Sequence, residues 1–299
     1  MFKAVTDLAV EAREAVMERY SKTHKGDIDG IKYSERTDGI AGISVIDVIN
    51  ENGEREIGRK KGKYVTVSFP DVMNLGFEDF SSLCDVCARE ILSVCRGLTD
   101  KIEGVLVCGL GNEKMTPDCI GPESVKNVLV TRHLKNSDSA LFEKTGLFDI
   151  CAFLPGVGAV TGLDSSDILL SVVKEAKPDI VIAVDALAAR ETSRLCKTLQ
   201  ICSAGISPGS GVGNAKRFID KETLGVPVVA IGIPTVVDTA TLVRDAIGED
   251  KAELLNGYSG LFVCPKEIDE LSTRLSRLIG YAVNRAFHKE LSFEEIIML

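Results

Sequence analysis

Two aspartates stand where chemistry is most easily assembled. Asp118 closes the stretch Gly109-Leu-Gly111-Asn112-Glu-Lys-Met-Thr116-Pro117-Asp118 behind the apolar run Gly104 to Gly109, and Asp185 directly follows Ile180 to Val184. Ligands of open parallel sheets bind beyond the carboxyl ends of the strands, so both are candidate catalytic residues. They lie 67 residues apart in the chain, a separation that lets two strand ends meet across one crevice. Two carboxylates about 3 Å apart cannot both ionise and come to share a proton. The ionised one then takes a proton from water while the other protonates a carbonyl oxygen, which is the chemistry of peptide hydrolysis by an aspartate pair. The same two groups can instead hold a divalent metal that acidifies the water, and the residues alone leave that choice open. Each aspartate also has a plain structural reading: Asp118 as a turn residue after Pro117, and Asp185 as the N-cap of a helix beginning Ala186-Leu-Ala-Ala.

The remaining motifs are weaker. Gly109-Leu-Gly111-Asn112 lacks the third glycine of a dinucleotide fingerprint, and the loop carrying Gly209, Gly211 and Gly213 lacks the Gly-Lys-Ser/Thr ending of a phosphate cradle. These glycines, with Asn112 and Thr116, read as conformational loops lining the crevice; a non-catalytic protein binding a phosphate ligand is the reading from another class. Cys84 and Cys87 have metal spacing but fall in an expected helix without a second pair, which favours a core pair. His133 stands alone near the region, so no metal is assigned.

The elements that must position these residues alternate along the chain. A first helix is expected over Leu8 to Tyr20, with Thr6 and Asp7 as capping candidates, followed by a β-rich section over about 31–70 with turn signals at Asn52-Gly53 and Gly62. Then come a helix near Glu78 to Arg96, the run Gly104 to Gly109, a helix over Pro122 to Leu134, and a strand over Phe148 to Leu154. A helix over Ser165 to Lys177, strands at Asp179–Val184, Leu199–Ile206 and Val226–Ile233, and a helix over Lys266 to Phe287 complete the pattern. This is an α/β chain with a mainly parallel sheet flanked by helices and a small β-rich N-terminal elaboration. No fixed repeat or long linker interrupts it, so a single domain over 8–299 is expected.

Composition narrows the partners. The 299 residues carry 35 basic against 44 acidic side chains, a net charge of -9, which argues against direct nucleic-acid binding. The longest apolar stretch, Val226 to Val237, contains two prolines and falls short of the roughly 20 residues that span a bilayer. No membrane association is expected. Nine cysteines scattered through apolar runs, and an N-terminus interrupted by Asp7, Glu11 and Glu14, point to a reducing, cytoplasmic location.

Taken together, several stretches resemble the spore germination protease family, endopeptidases that degrade small acid-soluble spore proteins. They are Thr6 to Arg13, Gly109 to Asn112 with Thr116-Pro-Asp118, Leu129 to His133, Pro155-Gly-Val157, Lys177 to Arg190, Pro208 to Asn214 and Leu224 to Asp238. The resemblance implies an atypical aspartic-type endopeptidase with catalytic residues at Asp118 and Asp185, using no cofactor. It implies a phosphorylase/hydrolase-like fold related to hydrogenase-maturation proteases, whose carboxylates surround a metal; a metal-dependent maturation-type protease is therefore the alternative. It also implies a homotetrameric zymogen in the forespore or spore interior. Family substrates are cut after an acidic residue in a context that Thr6-Asp7-Leu8-Ala9-Val10-Glu11 repeats, which makes Asp7 and Leu8 a candidate self-cleavage site and 1–7 a candidate prosegment. That site is expected in a flexible terminus.

Overall fold

Runs of β-branched residues without helical period satisfy their backbone groups by pairing, and here they pair into one sheet. The computed structural model describes residues 6–20, 28–209, 217–247 and 260–298. Among them are nine strands: β1 Ile31–Asp38, β2 Ala41–Val48, β3 Gly62–Ser68, β4 Gly104–Gly109, β5 Asp149–Phe153, β6 Ile180–Ala189, β7 Thr198–Cys202, β8 Val228–Asp238 and β9 Phe262–Val263. Their order is β1-β2-β3-β7-β8-β6-β4-β5, with β9 on β8. Strands β5, β4, β6 and β8 run parallel. The remaining pairings are antiparallel, and β3 joins the expected β-rich section directly to β7. The sheet is therefore mixed: its parallel half carries the strand ends of interest, and the N-terminal β section is its other half.

Side chains alternate across the central strands as a two-sided sheet requires. Val105, Val107, Ile182, Val184, Val229 and Ile231 join the core formed with helices Phe77–Arg96 and Ile268–Phe287. Leu106, Cys108, Val181, Ala183 and Val228 pack on the opposite face with Leu169 and Val173 of helix Ser165–Ala176. Cys84 and Cys87 are buried in that first core, and burial pushes the Cys87 thiol up to about 12, as a core pair demands.

Three local expectations are corrected. Asp185 does not cap a helix: β6 continues through Asp185 to Ala189, because residues 185–189 pair with Gly232 to Val237 of the equally long β8. The alanine-rich stretch has helical propensity, which tertiary pairing overrides. The helix expected over Pro122 to Leu134 is split into Ile120–Lys126 and Arg132–Ser137. Asn284 breaks it, accepting from Leu129 N at 2.8 Å and donating to Asn127 O at 2.9 Å. Asn52-Gly53 is not a hairpin turn but the first turn of helix Glu51–Ile57, capped by Asn50. The hairpin between β1 and β2 closes instead at Gly39-Ile40, with Gly39 at φ 57°.

The N-terminal helix, Ala9–Tyr20, is fastened to the end of β6 by carboxylates. Glu11, 2% exposed, accepts from Arg190 N at 2.7 Å and Glu191 N at 3.0 Å and is bonded to Thr6 Oγ1. Glu14 holds Arg194 through both oxygens at 2.7 and 2.8 Å. Asp7 is turned to the same strand, accepting from Ala188 N at 2.8 Å, while Thr6 Oγ1 accepts from Leu8 N. The first helical N–H, of Ala9, is bonded instead to Gln200 Oε1 at 2.7 Å.

Burial raises the Glu11 pKa above its ordinary value of 4.5, against the lowering effect of Thr6, the two backbone donors and Arg194. Between the ordinary and the raised value the folded chain binds more protons than the unfolded one. The stabilisation from Glu11 is thus full below its unfolded pKa and is lost as pH rises through its folded pKa. Glu11→Gln removes this term. Its stability relative to the parent, from urea unfolding midpoints, is expected to improve as pH rises above the ordinary value of 4.5 and through the raised folded-state pKa, whatever its absolute value.

Candidate active site

The chain leaves β4 toward β5 and leaves β6 in the opposite direction toward β7, so the adjacent carboxyl ends of β4 and β6 form a topological switch point, where crevices open in such sheets. Asp118 comes from the loop after β4 and Asp185 from β6 itself. The two segments are tied by one backbone bond, Leu110 N to Val184 O at 2.7 Å. Gly121 lies directly behind the joint: a Cβ there would sit 2.1 Å from Leu110 O and 2.4 Å from Val184 O, so no larger residue fits without moving backbone.

Asp118 ends the single 3-10 turn Thr116–Asp118. Its Oδ2 accepts from Asn112 N at 2.8 Å, closing the loop on itself. Thr235 of β8 donates its hydroxyl to Pro117 O at 2.6 Å, which fastens the turn to the sheet. Gly111, at φ 111°, passes so close that a Cβ would lie 2.1 Å from Asp118 O. Asp185 is 4% exposed, and its Oδ1 accepts from Ala186 N at 3.0 Å. Beneath it the Cys108 thiol is raised by burial and by the Asp185 charge.

Both aspartates line one cavity of about 1410 Å³, larger than the roughly 300–1,000 Å³ of small-molecule sites and suited to a polymer. Of the residues singled out in the sequence, Asp7, Gly111, Asn112, Asp118, Asp185 and Gly209 line it. Gly109 is packed under the loop instead, where a Cβ would meet Gly121 O at 2.5 Å. Thr116 supports the turn, its carbonyl accepting from Cys119 Sγ at 3.1 Å. Gly211 and Gly213 lie outside the described residues. His133 is exposed on its short helix, away from the cavity.

The Asp7–Leu8 peptide corrects another expectation. It is not in a flexible tail: Leu8 is fully buried, Asp7 N donates to Ala188 O at 2.8 Å, and Asp7 O accepts from Gln200 Nε2 at 3.1 Å. The Asp7 carboxylate and main chain, bonded to Ala188 and Gln200, fix the segment as a wall of the cavity. Sequence reasoning missed Arg59, Lys60 and Gln200, which line it too. A signal existed for Gln200, a polar residue inside the apolar run Leu199 to Cys202; Arg59 and Lys60 sit in an ordinary basic turn and gave none.

No group of three or more His, Cys, Asp or Glu side chains able to hold a metal forms among the described residues. The donors at the switch point are the two carboxylates of Asp118 and Asp185. No helix among the described residues is long and apolar enough to cross a membrane.

Residues 9–249 match the germination protease family. The germination protease of Clostridium acetobutylicum is 38% identical, with 97% of each chain covered. That of Caldanaerobacter subterraneus subsp. tengcongensis is 37% identical over 98% of this chain and 97% of its own. That of Oceanobacillus iheyensis is 42% identical over 82% of this chain and 67% of its own. Among solved structures, the NiFe hydrogenase maturation protease HycI of Thermococcus kodakarensis aligns over 64% of this chain and 99% of its own, with 20% identity and a TM-score of 0.33. With a switch-point cavity, two carboxylates at its floor and relatives that match along almost its whole length, the chain belongs to the germination protease family.

Proposed function

We propose that this protease is an endopeptidase of aspartic type that begins the degradation of small acid-soluble spore proteins, with Asp118 and Asp185 activating water. The observation that carries the reading is that both carboxylates line one cavity at the switch point, with the loop of Asp118 tied to β6 at Val184, the residue before Asp185. One member of the pair, ionised, takes a proton from water as the oxygen attacks the peptide carbonyl; the other gives its proton to the carbonyl oxygen. The tetrahedral intermediate collapses when a proton reaches the leaving nitrogen. Backbone bonds to Asn112 N and Ala186 N orient the two side chains for these transfers. A divalent metal on the same carboxylates is the alternative use, and it predicts sensitivity to chelation.

Asp118→Asn and Asp185→Asn each remove the shared proton or the charge. Each is expected to lower kcat on a purified small spore protein by roughly 10²-fold or more, with an unchanged urea midpoint, and a chelator is expected to leave the parent active. Near-parental activity in both variants would refute the aspartate pair, and loss with the chelator would favour the metal.

The chain is further read as a zymogen that removes residues 1–7 itself and works in the spore interior. Asp7 supports this by lining the same cavity as the two aspartates. Mass spectrometry of the incubated chain should give an N-terminus at Leu8 over time; Asp118→Asn should abolish that product and Asp7→Ala slow it about tenfold, the size of one lost recognition contact. A homotetramer is the expected assembly. Exposed apolar side chains next to cavity residues, Met115, Val160, Leu163 and Leu261, are available for subunit contacts. Light scattering at micromolar concentration should give four times the chain mass, and a monomer would refute the assembly.

A further inference from the structure

Groups that the hydrolytic step does not use hold the residues on both sides of the Asp7–Leu8 peptide. Asp7 makes two bonds to one residue: its N–H donates to Ala188 O at 2.8 Å and its Oδ2 accepts from Ala188 N at 2.8 Å. Gln200 brackets Leu8, donating from Nε2 to Asp7 O at 3.1 Å and accepting at Oε1 from Ala9 N at 2.7 Å. Arg59 Nη2 donates to Thr6 O at 2.6 Å. Leu8 is fully buried in the apolar cluster that includes Tyr64, Leu187 and Ala230.

These contacts divide by what they can read. The bonds to Thr6 O, Asp7 N, Asp7 O and Ala9 N involve main chain and accept any residue. The Ala188 N–H needs an acceptor at the reach of an aspartate side chain, and the cluster around Leu8 needs an apolar one. Together they form a receptor for an extended peptide in which an acidic residue precedes an apolar one. Charge favours the same ligand: Arg59 and Lys60 are the cations among the described residues that line the cavity. Lys60 is engaged by Asp220 at 2.8 Å. Arg59 Nε is buried with no hydrogen-bond partner among the described residues, while Nη2 holds Thr6 O.

We propose that Arg59, Gln200 and the Ala188 N–H form the subsite that grips substrate on the N-terminal side of the bond to be cut, and that Thr6 and Asp7 occupy it in this structure. The inference rests on the peptidase reading of the same cavity. Arg59 and Gln200 are positioning residues: they set the carbonyl of the acidic residue in the cavity that Asp118 and Asp185 line. A tethered occupant competes at an effective concentration in the millimolar range, so an incoming peptide binds well once the tether's own grip is weakened.

The test measures binding, using full-length chain in the Asp118→Asn background so that peptide is not consumed. The probe is a dye-labelled peptide copying residues 4–11, read by fluorescence anisotropy; the control peptide carries Ala in place of its Asp. Adding Asp7→Ala to the chain is expected to tighten both peptides about tenfold or more, a gain of ~1.4 kcal/mol, because both compete with the same tether, while the Asp peptide stays about tenfold tighter than the control. Further adding Arg59→Leu or Gln200→Glu should cancel the gain, and Arg59→Lys should restore part of it. Gln200→Glu keeps an acceptor for Ala9 N; should it fail to fold by its urea midpoint, the Arg59 pair carries the test. No gain from Asp7→Ala, equal affinity for the two peptides in that chain, or a gain indifferent to Arg59 overturns the subsite.

The two readings fail separately. If the Asp peptide binds in this pattern but chains with both aspartates intact do not cleave it, the hydrolytic assignment falls and the binding site stands. If it is cleaved with KM unchanged in the Arg59 and Gln200 variants, the subsite falls and the aspartate pair stands.

Discussion

One hydrogen bond, Leu110 N to Val184 O at 2.7 Å, sets the geometry on which the site depends. It joins the loop leaving β4 to the last residue of β6 before Asp185, so the two aspartates inherit their relative position from the sheet. The joint is possible because Gly121 brings its helix within backbone contact of both partners. Thr235 from β8 and the Asn112 N–H then fix Asp118 from two further directions. Three parallel strands thus contribute to one pair of carboxylates, and the loop carrying Asp118 has little freedom that the sheet does not grant.

A second consequence of this arrangement is that the site is crowded with main-chain donors. Ala186 N, Asn112 N and Ala188 N all end on carboxylates, of Asp185, Asp118 and Asp7 respectively. These bonds hold acidic side chains together in a chain that already carries an excess of negative charge. Basic side chains, Arg59 and Lys60, line the same cavity.

Much of this was legible in the residues. The strand runs, the helices at either end of the chain and the placing of Asp118 and Asp185 behind apolar runs follow from periodicity and from where crevices open in parallel sheets. What could not be read was tertiary override. Ala186 to Ala189 looks helical until a partner as long as β8 is present to pair with it, and the break before Arg132 is made by Asn284, distant in sequence. The flexible terminus expected around Asp7 is fixed because Gln200 and Ala188 are waiting for it, and neither advertises that role locally. Contacts made by main-chain atoms leave no mark on the side-chain pattern, which is why the wall of the cavity was harder to see than its floor.

The length of β6 carries a further meaning. β4 stops pairing at Val184, so residues 185–189 of β6 overhang their neighbour and keep one flank open inside an otherwise closed sheet. An open strand flank is a template for another strand, and proteins cover such edges or suffer unwanted association. Here the cover is the chain's own beginning: Asp7 meets Ala188, and Glu11 takes the N–H groups of Arg190 and Glu191 just beyond. The N-terminal segment is in this sense an edge guard, and whatever displaces its first residues uncovers a length of strand ready to receive extended polypeptide.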